Sequence, residues 1–204
     1  MSQLTTSFFQ VILTMEGGYQ AMPADVGNYA CGNLVGTNMG VSAVAWQQWQ
    51  GRCPTVSDMK YLTTADALAF YRWYWQYYNI DGINNQALAE LVMNNTMGAP
   101  KRAAEAEQRA LQRMGYSNVA EDGARGPITL AALNDAASKD LQRIYNLVRE
   151  EWINYLNTIN SQFRAGWINR MNRHFPPMDG NTQMAGGGII GIMLLIAIFF
   201  ATKK

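Results

Sequence analysis

Charge is what this chain has least of. Asp, Glu, Lys and Arg make up 15% of its 204 residues, whereas 49% are apolar, so much of the chain must be buried in protein or in lipid. The net charge of +1, with neither an acidic tail nor a basic block, offers no field to recruit a polyanion, and nucleic acid is not expected as a partner. Histidine is represented by His174 alone, with no second histidine or nearby cysteine to share a metal. It reads as a surface residue, and no metal and no cofactor is expected. Cys31 and Cys53 are too few for a disulfide scaffold and lack metal-ligand spacing. Either they pair in an oxidising envelope or they sit as two buried thiols. The N-terminus has no basic stretch ahead of its apolar run, and Glu16 falls where a small-residue cleavage site would be, so a cleaved export signal is not expected.

Alternating strand patterns are also scarce; only residues 26–42 leave room for a short hairpin. What is present is helical spacing. Apolar and aromatic residues recur with that period over 5–16, 40–50, 64–78, 86–93, 100–114, 127–137 and 139–172. Turn signals containing Gly or Pro separate these segments: PADVGN, GRCPT, IDG, MGAP and EDGARGP. The final long helical segment carries Trp152, Tyr155, Phe163 and Trp167, whose expected role is packing. The fold class expected is therefore mainly α.

The C-terminus breaks this pattern. GGGIIGIMLLIAIFFATKK, from Gly186 to Lys204, carries no charge before Lys203. Its length is near the lower limit for spanning hydrocarbon, it keeps no polar stripe, and its terminal lysines can snorkel to an interface. A transmembrane anchor over 188–202 is expected, a buried core helix being the alternative. The preceding FPPMDGNTQMAGGG has the composition of a flexible linker, taken as 176–187.

One carboxylate stands out in LTMEGGYQAMPADVG (13–27). Phe8, Phe9, Ile12 and Met15 form an apolar face, and Glu16 borders it at the end of the helix. A helix C-terminus carries partial negative charge, and burial likewise penalises an ionised carboxyl. Both effects favour the protonated form that a general acid needs. Gly17 and Gly18 are expected to close the helix with left-handed backbone. Tyr19, Pro23, Asp25 and Gly27 then make a polar turn, and GTNMGV (36–41) places Thr37 and Asn38 ahead of the next helix.

These motifs resemble a known family. EGGY, then P-x-D-x-G, then T-N-x-G-V look like the start of the glycoside hydrolase 108 family of lysozyme-like N-acetylmuramidases. YRWYWQYY (71–78) resembles that family's Tyr-Trp helix, and LAELVMNNTMGAPKRAAEAEQRAL (88–111) its segment with an asparagine before a small-residue turn. EDGARGPITLAAL (121–133) resembles the Asp-Gly repeat of peptidoglycan-binding domains, and GWINR (166–170) the family's closing motif. The similarity spans roughly residues 5–173. The family runs almost directly from its Asp-Gly turn into its threonine, whereas NYACGNLV intervenes here; and Val92 or Met93 stands where an aspartate is expected before the asparagine.

The resemblance implies a lysozyme-like helical domain, with a small hairpin near the active site, in which Glu16 is the catalytic acid. The bond cut would be the β-1,4 link between N-acetylmuramic acid and N-acetylglucosamine, and the partner would be peptidoglycan glycan strands. Asp25 is the candidate second carboxylate, its alternative role being to bind its own backbone in a turn. Thr37 could position a water, Tyr19 could bind sugar or brace Glu16, and Asn38 and Asn94 complete the candidate substrate contacts. If no second carboxylate reaches the bond, a lytic transglycosylase forming 1,6-anhydro ends is the alternative, and a non-catalytic wall-binding protein is the competing class. The expected domains are a catalytic lobe over 1–85 and a second, peptidoglycan-binding lobe over 86–175. With an anchor added, the architecture suits a bacteriophage protein, placed in a virion membrane with other virion proteins or in the host cell envelope, and used in entry or lysis.

Overall fold

The computed structural model describes residues 1–159 and 164–179. The apolar run at 188–202 lies outside the described residues, as does most of the linker ahead of it. Among the described residues no helix is long and apolar enough to cross a membrane. Two compact units are present: Leu4–Tyr77, and Met1–Gln3 together with the chain from Tyr78 onward.

The unit Leu4–Tyr77 begins with α1 (Thr6–Met15), capped by the Thr5 hydroxyl, which accepts from the Phe8 amide at 3.1 Å. Phe8, Phe9 and Ile12 are buried, as their spacing requires, each burial contributing about 1.5–3 kcal/mol. Two short antiparallel hairpins follow where one was expected: β1 (Tyr29–Ala30) with β2 (Asn33–Leu34), and β3 (Thr37–Asn38) with β4 (Val41–Ser42). Each turns through two residues with positive φ, Cys31–Gly32 and Met39–Gly40, the geometry of tight hairpin loops that follow the strand twist. Gly40 was expected inside a helix beginning at residue 40; it instead closes β3 onto β4, and α2 (Ala43–Gln50) starts only after Ser42 caps it.

A short α3 (Val56–Lys60), not evident from periodicity, is set by a reciprocal cap between Thr55 and Asp58. The Arg52 guanidinium, 2.8 Å away, and the Thr55 hydrogen bonds hold the Asp58 carboxyl well below the usual carboxylate range. Helix α4 (Thr64–Tyr77) supplies the aromatic core. Trp75 meets Phe8 edge-on, ring centroids 6.2 Å apart, and Tyr71 lies against Phe9 at 6.0 Å.

The second unit is helical. Its centre is α5 (Gln86–Gly98), buried continuously from Ala87 to Thr96. Beside it run α6 (Pro100–Arg113), α7 (Pro127–Thr158) and α8 (Arg164–His174). Helix α7 is interrupted at Asp140, whose carboxylate caps the continuation through the Arg143 amide at 3.0 Å, so the expected break near residue 138 is present. Gly126 caps α7 and Pro127 occupies its first turn, as the sequence suggests. The EDGARGP turn is tied down by Gln108 of α6, which accepts from the Asp122 and Gly123 amides and donates to the Ala124 carbonyl. A buried Arg125–Glu107 ion pair, with Arg125 also donating to Thr96 and to the Tyr78 carbonyl, fixes the turn against α5 and α6. Trp152 is buried; His174 is half-buried rather than a surface residue.

The two cysteines do pair. Cys31, at the tip of the first hairpin, is bonded to Cys53 in the loop between α2 and α3, across a sequence separation of 22. A loop of that length gives about 3 kcal/mol of stabilisation through the unfolded chain. Replacing Cys31 and Cys53 together by serine is expected to cost that much by denaturant unfolding and to remove any effect of reductant on the melting temperature; an unchanged unfolding midpoint contradicts the structural role.

Candidate active site

Glu16 is the C-terminal cap of α1: its amide still donates to the Ile12 carbonyl at 3.0 Å, while its own backbone is extended. The chain leaves the helix through this extended residue. Gly17 and Gly18 do not take the left-handed conformation expected of them. Both face open space: a Cβ at either would meet no other atom within 4 Å. The Gly17 carbonyl accepts from the Met39 amide at 3.1 Å, which brings the tip of the β3–β4 hairpin beside Glu16.

That tip makes the closest approach in the site. A methyl group built on Gly40 would lie 2.6 Å from Cγ and 2.8 Å from Cδ of Glu16, and closer still to the Tyr71 hydroxyl. Glu16 and Tyr71 therefore converge on one face of Gly40. The Tyr71 hydroxyl donates to the Met39 carbonyl at 2.9 Å, so α4 pins the same turn that confines the carboxyl. Positive φ at Gly40 and the missing Cβ are both needed there.

The same hairpin carries Thr37. Gln20 and Thr37 exchange backbone hydrogen bonds of 2.9 and 2.8 Å, which ties the segment after Glu16 to β3. The side chains beneath form one network. Thr37 donates its hydroxyl to Asn28 Oδ1 at 2.6 Å. Asn28 Nδ2 donates to Gln20 Oε1 at 2.9 Å, and Gln20 Nε2 reaches both Asn28 Oδ1 and Asp25 Oδ2, at 3.1 and 3.3 Å. Asp25 Oδ1 accepts from the Gly27 amide at 2.9 Å, closing a turn on its own backbone.

NYACGNLV, which separates the aspartate turn from the threonine, does not displace Thr37. The Asn28 carbonyl accepts from both Val35 and Gly36, at 2.8 and 3.0 Å, so the insertion leaves and returns at one point and projects as the β1–β2 hairpin. Thr37 is thereby delivered next to the Asp25 turn.

The other expected contacts are engaged elsewhere. Tyr19 is half-buried with its hydroxyl donating to the Val35 carbonyl at 3.0 Å, and its ring covers Gly36. Asn38 is 6% exposed and donates to the Met59 carbonyl at 2.9 Å, joining the hairpin to α3. Asn94 is 4% exposed within α5, its amide against Met171 and Asn95, which places it in the core. The sequence alone did not single out Gln20 or Asn28, and it offered Tyr71 and Gly40 only as parts of motifs. Among the described residues no group of three or more His, Cys, Asp or Glu could hold a metal ion.

Residues 9–99 match the family model described as Glycosyl hydrolase 108, and residues 102–172 match that of a Predicted Peptidoglycan domain. The solved structure of Brucella abortus SagA is similar, with a TM-score of 0.65 and 27% identity, over 83% of this chain and 92% of that one. No protein of curated function matches. Fold and matches together define the class: a glycosidase acting on peptidoglycan. Within that class, residues 9–99 are similar to the glycosyl hydrolase 108 domain, and the segment after them to the predicted peptidoglycan domain.

Gly40→Ala is the substitution most damaging to this geometry. It is expected to cost roughly 1–2 kcal/mol from the left-handed backbone and to lower kcat by on the order of 100-fold through displacement of Glu16. Cell-wall turbidity assays beside thermal melts check this; full activity in a folded Gly40→Ala protein contradicts the placement of Glu16.

Proposed function

We propose that the protein is an N-acetylmuramidase that cuts the β-1,4 bond between N-acetylmuramic acid and N-acetylglucosamine, with Glu16 as its general acid. The observation carrying this reading is the seating of the Glu16 carboxyl over Gly40, on the hairpin that also bears Thr37, beside the open backbone of Gly17 and Gly18. Glu16 gives its proton to the glycosidic oxygen as the bond to the anomeric carbon breaks. A water oxygen bonds to that carbon, and its proton passes to the Asp25 carboxylate, with Thr37 holding the water. The glycan strand is the substrate, and residues 102–172 give the enzyme a second peptidoglycan contact.

A lytic transglycosylase is favoured by one observation. Both Asp25 oxygens already accept hydrogen bonds, from Gly27 and Gln20, which a reaction needing a single carboxyl would tolerate. In that reaction the 6-hydroxyl of the sugar attacks and Glu16 acts as acid and then base.

Glu16→Gln in the full chain is expected to lower clearing of a peptidoglycan zymogram by about 10³-fold with the fold intact. Mass spectrometry of the products of the unmodified enzyme should find reducing ends. Equal clearing by both proteins would remove Glu16 from catalysis, and 1,6-anhydro ends would replace the hydrolase by the transglycosylase.

The enzyme's place is proposed to be a membrane, through an anchor at 188–202, in a bacteriophage particle or the host envelope it opens. The apolar, uncharged composition of that run supports the reading. Fractionation of purified particles is expected to find the chain with the lipid; its absence from particles removes the entry role and leaves lysis.

A further inference from the structure

We propose that Asn28, the first residue of the inserted hairpin, is a positioning residue that fixes the Thr37 hydroxyl as a hydrogen-bond acceptor toward the attacking water. The inference rests on the hydrolase reading above.

A threonine hydroxyl has one proton to give and lone pairs to receive. At Thr37 the proton is committed to Asn28 Oδ1 at 2.6 Å. The oxygen can therefore meet a water only by accepting one of its protons, and this leaves both of the water's lone pairs directed away from Thr37.

The orientation of the Asn28 amide is dictated by its surroundings. Its Nδ2 faces two acceptors, Gln20 Oε1 at 2.9 Å and the Met22 carbonyl at 3.0 Å, while its Oδ1 faces two donors, Thr37 and Gln20 Nε2. Turning the amide over would set its oxygen against the Met22 carbonyl and Gln20 Oε1, and its nitrogen against Gln20 Nε2. Asn28 is 0% exposed, so neither mismatch could be relieved by solvent.

The backbone of Asn28 is held as firmly. Its amide donates to the Asp25 carbonyl at 3.1 Å, and its carbonyl closes the base of the insertion through Val35 and Gly36. One residue thus couples the Asp25 turn, the inserted hairpin and Thr37. Asn28 touches no substrate; it acts through Thr37.

A mutant cycle on a soluble glycan substrate tests this in the full chain, with Asn28→Ala, Thr37→Val, their double variant and Thr37→Ser. Asn28→Ala and Thr37→Val are each expected to lower kcat about tenfold with KM within about twofold, and the double variant should be no slower than Thr37→Val alone. Thr37→Ser keeps the hydroxyl and should retain kcat within about threefold. A structural role alone would give additive losses, and additivity overturns the proposal. So does unchanged kcat in Thr37→Val, which is decisive even if Asn28→Ala fails to fold. Glu16→Gln run alongside separates the two levels: surviving activity there removes the acid assignment, whereas its loss together with an unaffected Thr37→Val removes only the role of Asn28. Formation of 1,6-anhydro ends by the unmodified enzyme would also overturn it, because no water would attack.

Discussion

The contact between Glu16 and Gly40 is the constraint on which the site depends. A carboxyl at the end of a helix has no natural anchor, since the last turn offers it only carbonyl oxygens. Here the hairpin supplies one. Met39 and Gly40 take the positive φ values that close β3 onto β4, and the missing side chain at Gly40 leaves a berth for the carboxyl. Tyr71 fixes the berth from α4 by bonding the Met39 carbonyl, and the Gly17 carbonyl fixes it from the segment that follows Glu16. Removing any of these loosens the same turn.

From this contact the rest of the arrangement follows by continuity. The turn that confines Glu16 ends the strand that presents Thr37, and Thr37 is bonded into Asn28, Gln20 and Asp25. Glu16 and the polar network are therefore both tied to one small hairpin rather than being independent features. The disulfide from Cys31 to Cys53 holds the inserted hairpin to the loop before α3, and Asn38 holds β3 to α3. The catalytic unit spends its cysteines, several buried amides and two tight turns on rigidity at one edge.

Much of this was legible in the sequence, for local reasons. Helix α1 and its buried face follow from the spacing of Phe8, Phe9 and Ile12, and the start of α7 follows from Gly126 and Pro127. Glu16 stood out because a carboxylate at a helix end is locally unfavourable. What was hidden depends on partners distant in the chain. Asn94 carries the polarity of a binding residue, but α5 is buried all round and places it in the core. Asn38 and Tyr19 are spent on the Met59 and Val35 carbonyls, contacts that no periodicity reveals. Asn28 sat in a stretch that looked like an interruption of the motif, and only its hydrogen bonds to Val35, Gly36 and Thr37 show that the interruption is tied to β3. Gly17 and Gly18 looked like helix terminators; an extended Glu16 ends the helix instead.

The proposed function requires the β3–β4 turn to hold Glu16 where a glycan strand passes. The most direct measurement is a crystal structure of the Glu16→Gln protein with an uncleaved glycan oligomer. A glycosidic oxygen within hydrogen-bond distance, about 3 Å, of the side chain at position 16, with sugar lying over Gly17 and Gly18, is the predicted result. An oligomer bound productively with position 16 out of reach of every glycosidic oxygen would contradict it.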